Sequence, residues 1–190
     1  MPIRTLPSHI KSYKKELKSL LATTRFNDET WKQNQEFLQM AHQTGQISNR
    51  IQCIYPSGII ISKSIPYQAN VFILEMNNEQ NKIMGIGLIK NTTPEYNKYS
   101  VYSNSKYNQF SYQGGYRIDY QEFTEEEIPV INLLEKLCFK GHRHQKRLNG
   151  IKAFPNDILY DYLHHKEEEK RIDIMQEITK MFKKIGRAHV

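Results

Sequence analysis

The stretch most suited to chemistry is CFKGHRHQKRLNGIK, residues 138–152. It holds Lys140, Arg143, Lys146, Arg147 and Lys152 with no acidic residue, and adds His142 and His144. Exposed in one loop, five cations could contact several phosphates, each contributing about −0.7 to −0.9 to the salt dependence of binding. Gly141 and Gly150 would let the backbone approach a ligand closely. The plainer alternative is a solvated basic loop that offsets Glu122, Glu125, Glu126 and Glu127 just before it. His142 and His144 also offer an acid and a base for metal-independent RNA cleavage, with a lysine to stabilise the phosphorane. Cys138, His142 and His144 lack the paired spacing of a zinc site and sit among cations, so neither metal nor cofactor is expected.

A second constellation is aromatic. Between Tyr96 and Tyr120 lie seven of the chain's 12 tyrosines and Phe110, interleaved with Lys98, Lys106 and Arg117. Rings beside cations are the composition of single-strand nucleic-acid surfaces, where bases stack and the backbone follows the charge. Tyr99, Tyr102, Tyr107, Tyr112 and Tyr116 are the candidate stacking residues, with Arg117 beside them. Tyrosines half-buried on a sheet are the ordinary alternative. No Walker loop, Rossmann glycine pattern, GxSxG or HExxH occurs, so no reaction is identified and no catalytic residue is assigned.

The elements that must position these residues fall in three zones. From Ser8, the spacing of Ile10, Tyr13, Leu17, Leu20 and Leu21 predicts a helix, and Asn27 followed by Asp28 and Glu29 predicts the cap of a second, stopping at Gly45. Over 50–120 the period shortens. RIQCIY and GIIIS flank a turn at Pro56-Ser57; ANVFILEM and KIMGIGLIK flank NNEQN; YSVYS and GYRIDY follow. Gly85 and Gly87 predict a bulge or a close approach by another backbone. Thr124 and Glu127 match a capping box before VINLLEKL, Pro155 or Asn156 opens a short helix, and a last helix spans about 165–185 with Gly186 as its stop and a loose GRAHV tail. Ile172, Met175, Ile178, Met181 and Phe182 share one side of it, as core or as an interface. The expected fold is α+β in one domain: a helical N-terminal extension over 1–45, a small curved mixed sheet or barrel over 50–140, and a basic loop with C-terminal helices over 141–190.

Length and charge bound the rest. The chain has 190 residues, 27 Lys and Arg against 20 Asp and Glu, a net charge of +7 and 38% hydrophobic residues. Its isoelectric point is near 9.3 and its mean hydropathy −0.69. A basic surface is steered toward polyanions, although 22 Ile against five Ala and 19 Lys against eight Arg follow AT-rich codon usage. No apolar run approaches about 18 residues and the start has no hydrophobic leader core, so neither membrane span nor signal peptide is expected. Two cysteines suit a reducing, intracellular compartment, cytoplasmic or nuclear.

The segment VFILEMNNEQNKIMGIGLI, residues 71–89, with GIIISKSIP before it and GYRIDYQEF leading into a helix after it, resembles the PUA-like superfamily of YTH, EVE and ASCH domains over about residues 50–140. That resemblance implies a small β-barrel and nucleic-acid binding, often with a modified or flipped base held in a pocket. The tryptophans with which YTH domains enclose a methylated base have no counterpart, Trp31 lying outside this zone, and the ASCH pattern GxKxxExR is absent. TRFNDETWKQNQEF and FKGHRHQKRLNGIKAFP resemble parts of uncharacterised proteins of large DNA viruses, which would place the protein in a virion or an infected cell. The expected function is RNA or DNA binding, single-stranded or with a modified base. The alternatives are an assembly protein that binds protein partners or its own copies through the terminal helices, and a ribonuclease using His142 and His144.

Overall fold

The computed structural model describes residues 7–147 and 149–184. The chain runs through α1 (Ser8–Glu16), β1 (Ser19–Phe26), α2 (Asp28–Gln43), β2 (Cys53–Ser57), β3 (Asn70–Asn77), β4 (Lys82–Lys90), β5 (Glu95–Tyr96), β6 (Phe110–Gly114), β7 (Tyr116–Asp119), α3 (Ile128–Phe139), β8 (Lys152–Ala153), α4 (Asn156–Leu163) and α5 (Ile174–Lys184). The fold is α+β, with a five-stranded mixed sheet ordered β7-β4-β3-β1-β8 and a three-stranded antiparallel sheet ordered β2-β6-β5. The two sheets do not close into a barrel. Of the expected alternatives, the small curved sheet flanked by helices is the one present.

Apolar alternation along the central strands builds two cores. Leu21, Phe72, Leu74 and Met76 face α1, α3, α4 and α5, where Phe72 meets Phe182 with ring centres 5.0 Å apart. Leu20, Ala22, Val71 and Ile73 face the opposite way, against α2 and the three-stranded sheet. The large sheet is therefore covered on both faces, and β3 reads as a nearly unbroken apolar run, as buried strands do, while β1 is apolar over Leu20–Ala22 and at Phe26. This corrects the expected N-terminal helical extension: Ser19–Phe26 is an internal strand of the main sheet, and the spacing of Leu17, Leu20 and Leu21 imitated a helix.

The cap of α2 is as expected. Asn27 Oδ1 accepts the Thr30 N–H at 2.8 Å, and Thr30 Oγ1 accepts the Asn27 N–H at 3.0 Å. The β3–β4 hairpin forms as expected, with its bulge between Leu74 and Met76. Gly87 sits where a Cβ would fall 1.9 Å from the Tyr55 hydroxyl, so the expected close approach comes from a side chain of the second sheet. Three other expectations are corrected. Pro56-Ser57 lies inside β2, at its outer end, instead of forming a hairpin turn. YSVYS is irregular, because Tyr99, Val101 and Tyr102 are buried without a strand partner and Asn108 bonds the Val101 and Tyr102 N–H groups instead. The last helix begins at Ile174, since Asp173 accepts the Gln176 N–H and starts it there. Glu127 bonds the Thr124 N–H at 3.0 Å, but α3 itself starts after it, at Ile128. Gly186 and the GRAHV tail lie outside the described residues.

Candidate functional site

The outer end of β2 is where the two constellations meet. Gly58 packs against the 3-10 turn Ser105–Asn108; a Cβ on it would lie 2.6 Å from the Lys106 carbonyl oxygen. Gly150, at φ +64°, packs against Ser57 and Ile59 from the other side, with 2.8 Å from its Cβ position to each. Glycine at both places lets the aromatic segment and the basic loop close on the same strand end. Between them opens a cleft of about 630 Å³.

Its walls come from five parts of the chain. The end of β1 and the start of α2 contribute Thr24, Arg25, Phe26, Asn27 and Thr30; the strand end contributes Pro56 to Ile59. Tyr102, Lys106, Tyr107 and Gln109 come from the aromatic segment, Asn78 from the turn after β3, and Asn149 and Gly150 from the basic loop. Arg25 donates to the Lys146 carbonyl at 2.7 Å and to Asn149 Oδ1, both neutral acceptors, and no carboxylate pairs with it among the described residues. Lys106 Nζ has no hydrogen-bond or acidic partner among the described residues. Asn78 Nδ2 donates to the Lys146 carbonyl at 3.1 Å, while its Oδ1 is buried with no donor among the described residues, an uncommon state for a buried oxygen. Tyr107 is 51% exposed and backed edge-on by Tyr102, with ring centres 6.5 Å apart. Burial raises the Tyr102 hydroxyl well above its usual range, with an Asn34 hydrogen bond lowering it in part, so this ring stays neutral. Among the described residues that line the cleft there is no Asp, Glu, His or Cys.

The basic loop is docked, not free. Gln145 is buried, its N–H on the Cys138 carbonyl at 2.7 Å and its Nε2 on the Arg143 carbonyl at 2.6 Å. Lys146 Nζ reaches Asn81 Oδ1 at 2.7 Å, and Arg143 pairs with Asp157 at 2.5 Å. His144 Nδ1 accepts the Lys146 N–H at 3.3 Å. Lys140, His142 and Arg147 are exposed, and Lys152 is half-buried in β8 beside Thr23. Of the seven basic and histidine candidates none lines the cleft by its own side chain; the loop contributes Asn149, Gly150 and the Lys146 carbonyl behind Arg25.

The aromatic candidates divide by burial. Tyr99 and Tyr112, each 4% exposed, are core rings: the Tyr99 hydroxyl accepts from Gln113 at 3.2 Å, and the Tyr112 hydroxyl from the Ile61 N–H at 2.9 Å. Tyr102 is buried but reaches the cleft wall, and Tyr116, 39% exposed, lies outside the lining. Arg117 points into the protein. Its Nη2 meets Glu75 Oε2 at 2.7 Å, its Nε meets both Glu75 oxygens, and its Nη1 meets Asp119 at 3.0 Å. Burial works against its charge, but the Glu75 carboxylate more than reverses this and holds the guanidinium protonated. Arg25, Asn78, Gln109 and Asn149 were not singled out by the sequence, because each is ordinary in its own segment and they gather only in the fold.

The chain matches no family model, no curated protein and no solved structure in comparisons with each.

Proposed function

We propose that the protein binds single-stranded nucleic acid and takes one base into the cleft, with Tyr107 as the stacking ring and Arg25 and Lys106 as the nearby charges. The observation that carries this reading is that the aromatic segment and the basic loop both line one cleft. Its volume falls within the roughly 300–1,000 Å³ of ligand clefts, and amides from Asn78, Gln109 and Asn149 are the groups that read the hydrogen-bonding edge of an unpaired base. A paired base could enter only by leaving its stack, which favours single strands. The resemblance to PUA-like domains points the same way, and so does the net charge of +7. Two free, buried cysteines fit action inside a cell, and no helix among the described residues is long and apolar enough to cross a membrane.

The other two readings have less support. The α5 side offered as a partner surface is filled: Met175, Ile178, Met181 and Phe182 are buried in the core. His142 and His144 stand outside the cleft lining, apart from the ring on which a base would stack.

Equilibrium binding of matched single- and double-stranded RNA and DNA across a salt series tests the proposal. Single strands should bind more tightly than duplexes, with a salt slope of about −0.7 for each phosphate held. Equal affinity for both forms, or no binding near physiological salt, would overturn it.

A further inference from the structure

Beside the cleft lies a second hollow of about 490 Å³, formed by the segment 97–109. Lys106 and Gln109 line both depressions, so the two are neighbours that share these residues as a common border. The hollow is firmly framed. Asn108 is buried, accepts the Val101 and Tyr102 N–H groups at 3.2 and 2.9 Å, and donates to the Tyr102 carbonyl at 2.8 Å. Asn97, at φ +48°, ties its N–H to the Gln109 carbonyl at 2.9 Å.

Within that frame the polar side chains are unengaged. Asn97, Ser100, Ser105, Lys106 and Gln109 make no side-chain hydrogen bond among the described residues. Lys98 holds Glu95 at 3.0 Å, but both side chains are 48% exposed, so the pair is weak and can be exchanged for another anion. The hollow presents hydroxyls, amides and two ammonium groups, whereas its one ring, Tyr99, is buried. This is the chemistry of a sugar and a phosphate, and it differs from that of the cleft, which presents the exposed Tyr107 ring.

We propose that the hollow is the sugar–phosphate subsite for the nucleotide adjoining the one whose base sits in the cleft, with the linking phosphate at Lys106. The ligand is then a single strand of at least two nucleotides that runs from the cleft over Lys106 toward Lys98. This rests on the nucleic-acid reading above and adds the direction in which the strand leaves.

The test is a length series of one base, from mononucleotide to tetranucleotide, with inorganic phosphate alongside, each competing against a labelled oligonucleotide. The protein is used as wild type, Lys98→Ala, Ser105→Asp and Tyr107→Ala; all three positions are exposed or make no structural side-chain bond apart from the Lys98–Glu95 pair. Wild-type affinity should rise about tenfold or more from mononucleotide to trinucleotide, the size of one charge-assisted contact. Lys98→Ala and Ser105→Asp should remove that rise and leave mononucleotide affinity within about twofold, since neither residue lines the cleft. Tyr107→Ala should weaken every length.

If Tyr107→Ala weakens binding while Lys98→Ala and Ser105→Asp leave the trinucleotide unaffected, the cleft stands and the subsite is overturned. Affinity independent of length, with inorganic phosphate bound by wild type and lost in Ser105→Asp, would make the hollow a free-anion site and also overturn it. If no oligonucleotide binds, the nucleic-acid reading fails first and takes this inference with it.

Discussion

At the scale of single residues, the most consequential group is Glu75 with Arg117. Glu75 sits in the middle of β3, 1% exposed, with Tyr55 donating to it at 2.7 Å from the second sheet and Arg117 forked over both oxygens from β7. Three strands from two sheets are tied at one carboxylate. Glu75→Gln would leave the guanidinium buried beside a neutral amide, and should cost about 3–5 kcal/mol in urea unfolding; a loss under about 1 kcal/mol would mean that Asp119 and solvent suffice. Cys53 nearby has its thiol pushed by burial from 9.0 up to about 12. Below pH 9 the thiol is neutral in both states and contributes no pH dependence. Between pH 9 and about 12 only the unfolded chain releases the proton, so stability falls as pH rises, and it should fall less steeply in Cys53→Ser. Parallel slopes for the two proteins in that window would contradict the burial of the thiol. The inward turn of Arg117 was not legible in the sequence, because its partner is 42 positions away.

At the scale of elements, legibility followed how local each signal was. The cap of α2 and the β3–β4 hairpin depend on neighbours within a few residues, and both were readable. The strand β1 was not, since its identity comes from pairing with β3, about 50 residues on. The basic loop behaves likewise: its composition was visible, but its docking on Arg25, Asn78 and Asn81 depends on the turn after β3 and the end of β1. Gly150→Ala should separate these layers. The substitution forces a positive φ on a side-chain residue and drives Cβ into Ser57 and Ile59. Amide exchange over 149–153 should accelerate and oligonucleotide affinity should drop, while the α5 side of the protein keeps its protection. Unchanged exchange in the loop would show that the contact yields without effect. For α5, Met181→Ala should destabilise by about 2–5 kcal/mol, as a buried methionine does. Lys180→Glu, one position away and exposed, should change stability little. A Met181→Ala protein as stable as wild type but altered in oligomeric state would reinstate the partner-surface reading.

At the scale of the whole molecule, the site is a product of topology. The five-stranded sheet carries β1 to one rim, the second sheet brings the end of β2 to the same rim, and two irregular segments close over it. Part of the candidate site was legible in advance: Tyr102 and Tyr107 were named, and the loop holding Asn149 and Gly150 was marked. The loop's cations, however, are not among the lining residues, and Arg25 supplies charge from a strand whose first residues read as helix and whose second half read as the break before the next one. Lys106 supplies a second charge at the lining itself, while the exposed Lys140 and Arg147 add to the basic surface, which raises encounter rates more than it selects a ligand.

The most direct measurement is photo-crosslinking of a short single strand carrying a photoreactive pyrimidine, with the crosslinked peptide identified by mass spectrometry. Adducts are expected on Tyr107 or on its cleft neighbours Tyr102, Ile59 and Asn149, competed by unlabelled single strand and lost in Tyr107→Ala. Adducts confined to surface rings elsewhere, such as Tyr67 or Tyr116, and persisting in Tyr107→Ala would contradict it.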